Sequence, residues 1–278
     1  MGPLEQSMNI ETIITSIPSN RLERIWMSGN LVWFLRAVLL LGVVAGLLSF
    51  FLLAPSWWLL GVLLAAVFLF YFFANHTGLA GGVFVQPQCC LPGLEKRIAL
   101  TFDDGPNAEW TARILDVLKA HGVPGTFFLL GKHAEQYPHL VNRLRAEGHE
   151  LASHGYSHRK MSVLGRAEIV WELTRTEALI GWQGSGPRPL FRPPHGRKSP
   201  LLEWLLRRSG IRLVHWSLSP KDWKEIPSTA VLERMLRFVE AGSIILLHDS
   251  PNALAVLPEF IGAMKARDYT FVTVSSVS

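Results

Sequence analysis

The chain is poor in cysteine, and the little it has excludes a disulfide framework. Only Cys89 and Cys90 occur among 278 residues, and they are neighbours in the sequence. Adjacent cysteines rarely bridge each other, and two cannot staple a small secreted scaffold. Two cysteines without a disulfide are compatible with a reducing compartment, although they do not establish one. Stability must come from a hydrophobic core, and the length allows one large domain or two small ones.

Runs of basic residues are also missing. The net charge is +5, which by itself suits nucleic acid, an anionic membrane surface or an acidic substrate. The basic residues are not clustered or interleaved with aromatic ones. The sequence therefore predicts no nucleic-acid partner.

Charge is nearly absent from residues 31–74, where Arg36 is the only charged residue. As one helix this stretch would extend about 66 Å, roughly twice the thickness of a hydrocarbon core. We therefore expect two transmembrane helices within 31–73, separated at Pro55. The run is too long and too far from the N-terminus for a signal peptide. A buried helical hairpin of a soluble core is the alternative.

The flanking charges predict the orientation of that hairpin. Arg21, Arg24 and Arg36 lie on its N-terminal side, and the turn between the two stretches is uncharged. Positive residues prefer the cytoplasm. The N-terminus and, after two crossings, the rest of the chain are then expected on the cytoplasmic side of a bacterial inner membrane. If the second stretch does not cross, the same charges place the rest of the chain outside.

Beyond the hairpin the sequence divides into a linker and a domain. Residues 1–30 form an N-terminal segment, and residues 74–96, rich in glycine and proline, read as a linker. From 97 to 278, apolar runs alternate with helical patterns. Strands are predicted at 98–102, 125–130, 149–152, 189–191, 211–216, 243–247 and 269–274. Helices are predicted at 109–120, 134–147, 166–181, 200–208, 228–240 and 253–266.

This alternation predicts parallel βαβ units, arranged as a barrel or an open sheet. Polar residues fall just after five of the predicted strands, and they are Asp103-Asp104, His154 to His158, Arg192, Asp222 and His248-Asp249. The carboxyl ends of barrel strands form the rim that carries active sites. The sequence therefore predicts a functional site at this rim.

Two adjacent carboxylates, Asp103 and Asp104, end the first predicted strand within the segment Thr101–Pro106. Like charges at this distance repel unless a cation is close. The arrangement suits a site in which one carboxylate binds a metal and the other moves a proton. A strand-ending turn rich in Asp, Gly and Pro is the alternative.

His154 and His158 are four residues apart. On a helical turn this spacing places two imidazoles on one face, where they can bind one ion. Exposed histidines also reach this spacing by chance. His149 lies inside the predicted strand and does not share the face, so we interpret it as structural.

These segments, with three more, resemble the NodB-homology polysaccharide deacetylases of carbohydrate esterase family 4. The resemblance extends from Arg97 to the end of the chain. It rests on five segments in the family's order, which are Thr101–Pro106, His154–His158, Phe191–Gly196, Asp222-Trp223 and Leu246–His248. It implies an α/β fold, a distorted (β/α)7 barrel of NodB type, here preceded by the predicted transmembrane hairpin.

The resemblance also implies a role for each matched residue. A divalent metal, zinc foremost and Co2+, Mn2+ or Ni2+ as alternatives, would be held by Asp104, His154 and His158. Asp103 would be the general base, oriented and kept ionised by Arg192. His248 would be the general acid, hydrogen-bonded by Asp222. The substrate-binding residues would be Trp223 and Leu246, which wall the acetyl pocket, and Pro194 and His195.

These roles are chemically consistent. Three protein ligands leave an open position on a catalytic metal, which lowers the pKa of a water molecule to roughly 7. The tetrahedral oxyanion would be stabilised by the metal and a backbone N–H near His195. Two features depart from the family. The family often has Tyr where this chain has His195, whose side chain either contacts a substrate phosphate or is simply exposed. The segment Ser217–Lys221 before the fourth motif is atypical.

The expected function is hydrolysis of an N-acetyl group from an aminosugar. A domain facing the cytoplasm could reach an aminosugar linked to polyprenyl phosphate or a glycan precursor at the membrane, and the basic net charge suits such an anionic lipid. The alternative is a deacetylase of peptidoglycan or exopolysaccharide outside the membrane. A deformylase on the same scaffold and a non-catalytic sugar-binding module are further alternatives.

Overall fold

The structure is a computed structural model that describes residues 38, 41–46, 58–77, 87–93, 95–181 and 189–276. Its elements follow in the order α1 Trp58–Thr77, β1 Arg97–Asp103, α2 Trp110–His121, β2 Thr126–Leu129, α3 Gly131–Gln136, α4 Pro138–Ala146, β3 Glu150–Ser153, α5 Arg166–Ile180, β4 Leu190–Phe191, α6 Pro200–Arg208, β5 Arg212–Leu213, α7 Ser228–Phe238, β6 Ile244–His248, α8 Pro251–Lys265 and β7 Thr270–Phe271. Short 3-10 helices cover Met161–Val163 and Pro194–Gly196. The predicted alternation of strands and helices is confirmed.

The strands form one parallel sheet in the order β5-β4-β3-β2-β1-β6, and β7 pairs with the first two residues of β1. The edges β5 and β6 are connected only through isolated bridges among the described residues. These bridges pair Gln88 with Val214, Cys90 with Ser243, and Leu218 with Ile245. The sheet therefore curls into an incomplete, distorted barrel, as the resemblance implied.

Alternate residues of each strand face two separate cores, as the strand period requires. Small and aliphatic side chains such as Ala99, Val214 and Ile244 pack with Phe128 inside the curled sheet. The other strand face, with Phe102 and others, packs against α2, α7 and α8. The burial of both faces explains why these strands are nearly continuous apolar runs.

Local sequence signals account for several element ends. Both α6 and α8 begin with a Ser-Pro pair: Ser199 accepts the N–H of Leu202, and Ser250 accepts the N–H of Ala253. Serine at the N-cap followed by proline at the first helical position is a favoured start. The predicted helix 134–147 is instead two helices, α3 and α4. The break falls at Tyr137, because the residue before a proline disfavours the helical conformation.

The end of the predicted linker contacts the domain. Gln88 donates its N–H to the Leu213 carbonyl, Leu91 donates to the Gly242 carbonyl, and Leu91 is buried. Residues 87–93 thus help to bridge the sheet edges, while the boundary at residue 97 stays a prediction.

The predicted membrane hairpin has no support in the structure. Its first stretch falls largely outside the described residues, and its second overlaps α1. Within the described ranges, no helix is both long and apolar enough to cross a membrane.

Candidate active site

The predicted site residues lie at the carboxyl ends of the strands, as expected for this architecture. Asp103 ends β1, His248 ends β6, and the two residues are paired in register. His154 directly follows β3 and Arg192 directly follows β4. Because neighbouring parallel strands end side by side, groups far apart in the sequence meet at one rim.

Asp103 and Arg192 form a buried ion pair at the centre of this rim. The Nη1 group of Arg192 donates to Oδ1 of Asp103 at 2.7 Å and to the Thr101 hydroxyl at 2.9 Å, while Nη2 donates to the His215 carbonyl at 2.8 Å. The guanidinium lies 4.0 Å from the ring centre of Phe128 and is fully buried. These contacts fix the orientation of the Asp103 carboxylate.

Asp104, His154 and His158 converge beside this pair. Oδ1 of Asp104 lies 3.2 Å from Nε2 of His158 and 3.5 Å from Nε2 of His154. One candidate ligand atom from each of the three residues lies within 4.8 Å of the others. Both Asp104 and His158 have left-handed backbone conformations, with φ of 71° and 64°.

The chemistry of these three residues fits a divalent metal ion. Nδ1 of His154 lies 2.7 Å from the Arg192 carbonyl. A carbonyl only accepts, so Nδ1 carries the proton and Nε2 presents a lone pair to the cluster. Oδ1 of Asp104 is buried and has no hydrogen-bond partner among the described residues. Burial also lowers the pKa of His158 despite the charge of Asp104, which favours the neutral, ligating imidazole.

His248 lies on β6, on the side of β1 away from β2 and β3, and it is held by Asp222. The carboxylate of Asp222 accepts the backbone N–H of His248 at 2.8 Å and lies 3.0 Å from its Nδ1. Burial alone lowers the pKa of His248, but the hydrogen bond and charge of Asp222, with the charge of Asp103, outweigh it and raise the pKa. The arrangement therefore favours an imidazolium that can donate a proton.

The four predicted substrate residues surround this rim at different depths. The Trp223 ring is half exposed and lies edge-on to His248, 5.0 Å between ring centres. Leu246 is buried on the same strand face as His248. Pro194 is buried, whereas His195 is exposed and its ring lies 4.5 Å from that of His158.

His149, which the sequence suggested as structural, lies outside the site, and its Nδ1 accepts the Gly125 N–H at the opposite end of β3. Asp249 lies beside the site: its backbone N–H donates to the Asp103 carbonyl, and its carboxylate accepts the Thr111 hydroxyl. Burial raises the pKa of Asp249 to about 6.

Sequence reasoning missed two residues that contact the candidate metal-ligand cluster. Nδ1 of His133 on α3 lies 2.8 Å from the Asp104 carbonyl. Glu172 on α5 accepts hydrogen bonds from the loop between His154 and His158. The helical spacing places Glu172 on the buried face of α5 together with Ile169 and Leu173. This spacing predicts that Glu172 is buried, but not which residues it contacts.

Comparison with known proteins gives consistent matches. A family model described as polysaccharide deacetylase matches residues 92–214. The chain is 34% identical over 192 residues to a peptidoglycan-N-acetylglucosamine deacetylase of Bacillus cereus, covering 67% of this chain and 70% of that protein. It is 39% identical over 163 residues to a chitooligosaccharide deacetylase of Sinorhizobium fredii, covering 57% of this chain and 75% of that protein.

A solved structure shows the same fold. The crystal structure of a peptidoglycan N-acetylglucosamine deacetylase matches with a TM-score of 0.64 and 32% identity, over 68% of this chain and 91% of that one. The resemblance inferred from the five sequence segments is thus confirmed. The chain belongs to the polysaccharide deacetylase family, carbohydrate esterase family 4, a family of carbohydrate N-deacetylases.

Proposed function

We propose that this protein hydrolyses the N-acetyl group of N-acetylglucosamine units in a glycan, releasing acetate and a free amine. The observation that carries the proposal is the pairing of Asp103 and His248 in register beside the cluster of Asp104, His154 and His158. The matched relatives support the substrate class, since their names specify peptidoglycan N-acetylglucosamine and chitooligosaccharides.

We propose that Asp104, His154 and His158 hold the divalent metal, and that the metal is zinc. Two imidazoles and one carboxylate are a usual zinc ligand set and leave room for a further ligand. When bound, the metal would supply Lewis-acid polarisation and a lowered pKa for a water molecule. The partnerless oxygen of Asp104 supports this assignment.

The proton transfers are assigned to the two strand-end groups. Asp103, oriented by Arg192, takes the proton of the attacking water. As the C–N bond of the amide breaks, His248 donates its proton to the leaving nitrogen, and Asp222 favours the charged form that can do so. Water is consumed, and acetate and amine are the products.

The substrate pocket is proposed to include the rim residues beside His248. Leu246 and Trp223 would contact the acetyl methyl, and the exposed face of Trp223 would also pack on the sugar ring. The N–H of His195 would contribute to binding of the oxyanion. The His195 side chain, which lies beside His158, would be available to a substrate group at the entrance of the pocket.

The direct test uses the purified chain, loaded with zinc, and an N-acetylglucosamine oligomer. We expect release of acetate together with the mass change of acetyl replaced by hydrogen. Asp103→Asn is the control, since it alters one side chain at constant size. Absence of acetate release by the zinc-loaded protein on both peptidoglycan fragments and chitooligosaccharides would contradict this proposal. Release of formate from an N-formyl sugar instead would indicate a deformylase.

A second candidate substrate follows from the sequence before the domain. The apolar residues 31–73 with positive charges on their N-terminal side favour attachment to a bacterial inner membrane with the domain on the cytoplasmic side. There the substrate would be an aminosugar on polyprenyl phosphate. A reporter fused after Ser278 tests the side: strong alkaline phosphatase activity would exclude the cytoplasmic placement. Mass spectrometry of polyprenyl-linked and cell-wall sugars, with and without the gene, distinguishes the two substrates.

A further inference from the structure

The loop between the two candidate metal histidines is held by a buried carboxylate from another element. We infer that Glu172 on α5 is a positioning residue that keeps His154 and His158 in their metal-binding arrangement. The inference rests on the metal site of the proposed function, and it assigns a role to a residue outside the five family segments.

Among the described residues, the hydrogen bonds of the Glu172 side chain go to this loop. Its Oε2 atom accepts the backbone N–H of Tyr156 at 2.6 Å and that of Ser157 at 2.9 Å. Its Oε1 atom accepts the Ser157 hydroxyl. Glu172 is only 1% exposed, so these bonds compete little with water. Hydrogen bonds to an ionised carboxylate are stronger than neutral ones.

The loop conformation requires such support. Gly155 has a φ of 79° and His158 a φ of 64°, so two left-handed residues occur within five positions. For a residue other than glycine this conformation is strained and persists only when the surroundings enforce it. His158 is such a residue and a candidate ligand. The direction of its imidazole therefore depends on contacts made by the rest of the loop.

The opposite side of the same peptide groups is held by α3. The N–H of Gly131 donates to the Gly155 carbonyl at 2.9 Å, and the N–H of Lys132 donates to the Tyr156 carbonyl at 3.1 Å. Glu172 supplies the acceptors for the N–H groups, and α3 supplies the donors for the carbonyls. Removal of Glu172 would leave the partly buried N–H groups of Tyr156 and Ser157 without this acceptor and one side of the loop unsupported.

A purely structural role for Glu172 makes a different prediction from a positioning role. A structural residue lowers stability when it is replaced, but the fraction that remains folded binds metal normally. A positioning residue lowers metal affinity in protein that is fully folded. Zinc affinity and thermal unfolding of the metal-free chain, measured separately, distinguish the two roles without an activity assay.

The experiment compares three variants of the full chain, Glu172→Ala, Glu172→Gln and Glu177→Gln, by competition with a chromophoric zinc chelator. For Glu172→Ala we expect zinc affinity to fall about 10- to 100-fold, the usual effect of losing a residue that supports metal ligands. For Glu172→Gln we expect a smaller loss. The amide oxygen can still accept both backbone N–H groups, and the amide nitrogen can donate to the Ser157 hydroxyl.

Glu177→Gln is the matched control. Glu177 lies on the same helix and is also buried, but its two carboxyl oxygens have no hydrogen-bond partner among the described residues. The same chemical change is made there without touching the loop. We expect zinc affinity equal to that of the wild type.

Three outcomes would overturn the inference. Folded Glu172→Ala with wild-type zinc affinity would show that the loop needs no such support. Glu172→Gln binding as weakly as Glu172→Ala would assign the effect to charge. If Glu172→Ala does not fold, Ser157→Ala is measured in its place. Wild-type zinc affinity in both Glu172→Gln and Ser157→Ala would then overturn the inference. Failure of the wild type to bind zinc would contradict the proposed metal site itself, which separates the two hypotheses.

Discussion

The proposed acid–base half of the site and the proposed metal-ligand half are built differently. Asp103 and His248 are the last residues of neighbouring strands, and each is bound by a buried partner of opposite charge or a hydrogen-bonding carboxylate. Asp104 and His158 lie in loops with left-handed backbone conformations. The first half is positioned by the sheet, and the second by contacts with α3 and α5.

The difference indicates which part of the site depends on which contacts. Strand-end groups keep their separation as long as the hydrogen-bond ladder is intact. Loop-borne ligands keep theirs only while supporting side chains and the metal hold them. Variants of the acid–base residues should therefore leave zinc binding measurable.

The largest effect is expected from the metal half. His154→Ala removes the ligand whose tautomer is set by the Arg192 carbonyl, and we expect zinc binding and deacetylation to be lost together. Zinc content by mass spectrometry and acetate release measure both. His149→Gln, at the far end of the same strand, is the control and should retain both. A zinc-free His154→Ala variant with full activity would refute the metal assignment.

The next largest effect is expected from the base. Asp103→Asn keeps the shape of the side chain but cannot take a proton, so kcat/KM should fall about 10²- to 10⁴-fold. Zinc content should stay at the wild-type level, because Asp103 belongs to the other half. The variant should also be less stable, since the buried Arg192 loses its charged partner. Retained turnover would identify another group as the base.

A smaller effect concerns pH. Asp222→Asn removes the charge that raises the pKa of His248. Activity that needs protonated His248 falls as pH rises through this pKa, so a lower pKa moves the fall to lower pH. The alkaline limb of the kcat/KM profile measures the shift. An alkaline limb at the wild-type position would show that another group is the acid.

The smallest effect concerns stability and lies outside both halves. Burial raises the pKa of Glu177 to about 8. The folded state therefore holds a proton that the unfolded chain, with its usual carboxyl pKa, has released, and stability is lost as pH rises from about 4.5 towards 8. Glu177→Gln removes this loss. It should raise the free energy of unfolding at pH 7 by ~1–3 kcal/mol and leave it unchanged at pH 4. Denaturant unfolding at both pH values is the measurement, and an equal change at both would contradict the assignment.

Much of the fold was predictable because its signals are local. Both faces of the strands are buried, so each strand is a short apolar run, and the amphipathic helices lie between them. The prediction of one helix over 134–147 was wrong, although Pro138 carries the signal for the split, because a residue before proline disfavours the helical conformation. The strand and helix patterns left a barrel and an open sheet as alternatives, because closure depends on single bridges such as Leu218 with Ile245. Only the family resemblance implied the distorted barrel.

The strand-end residues of the candidate site were predictable from the sequence. Asp103, His154 and His248 follow strands, and parallel strands end at one edge. The structure brings them together with Arg192 and Asp222. Glu172 was missed because nothing in its own neighbourhood relates it to the loop it holds.

The sequence by itself determined the alternation of strands and helices, the strand ends that carry polar groups, and the family. These features are local, because strands and helices are recognised from the spacing of apolar residues and the family from short segments of defined residue types. The tertiary structure decided the incomplete closure of the barrel, the pairing of Asp103 with His248, and the support of the metal loop by Glu172. These depend on hydrogen bonds between residues far apart in the chain, whose energy is realised only after packing has excluded water.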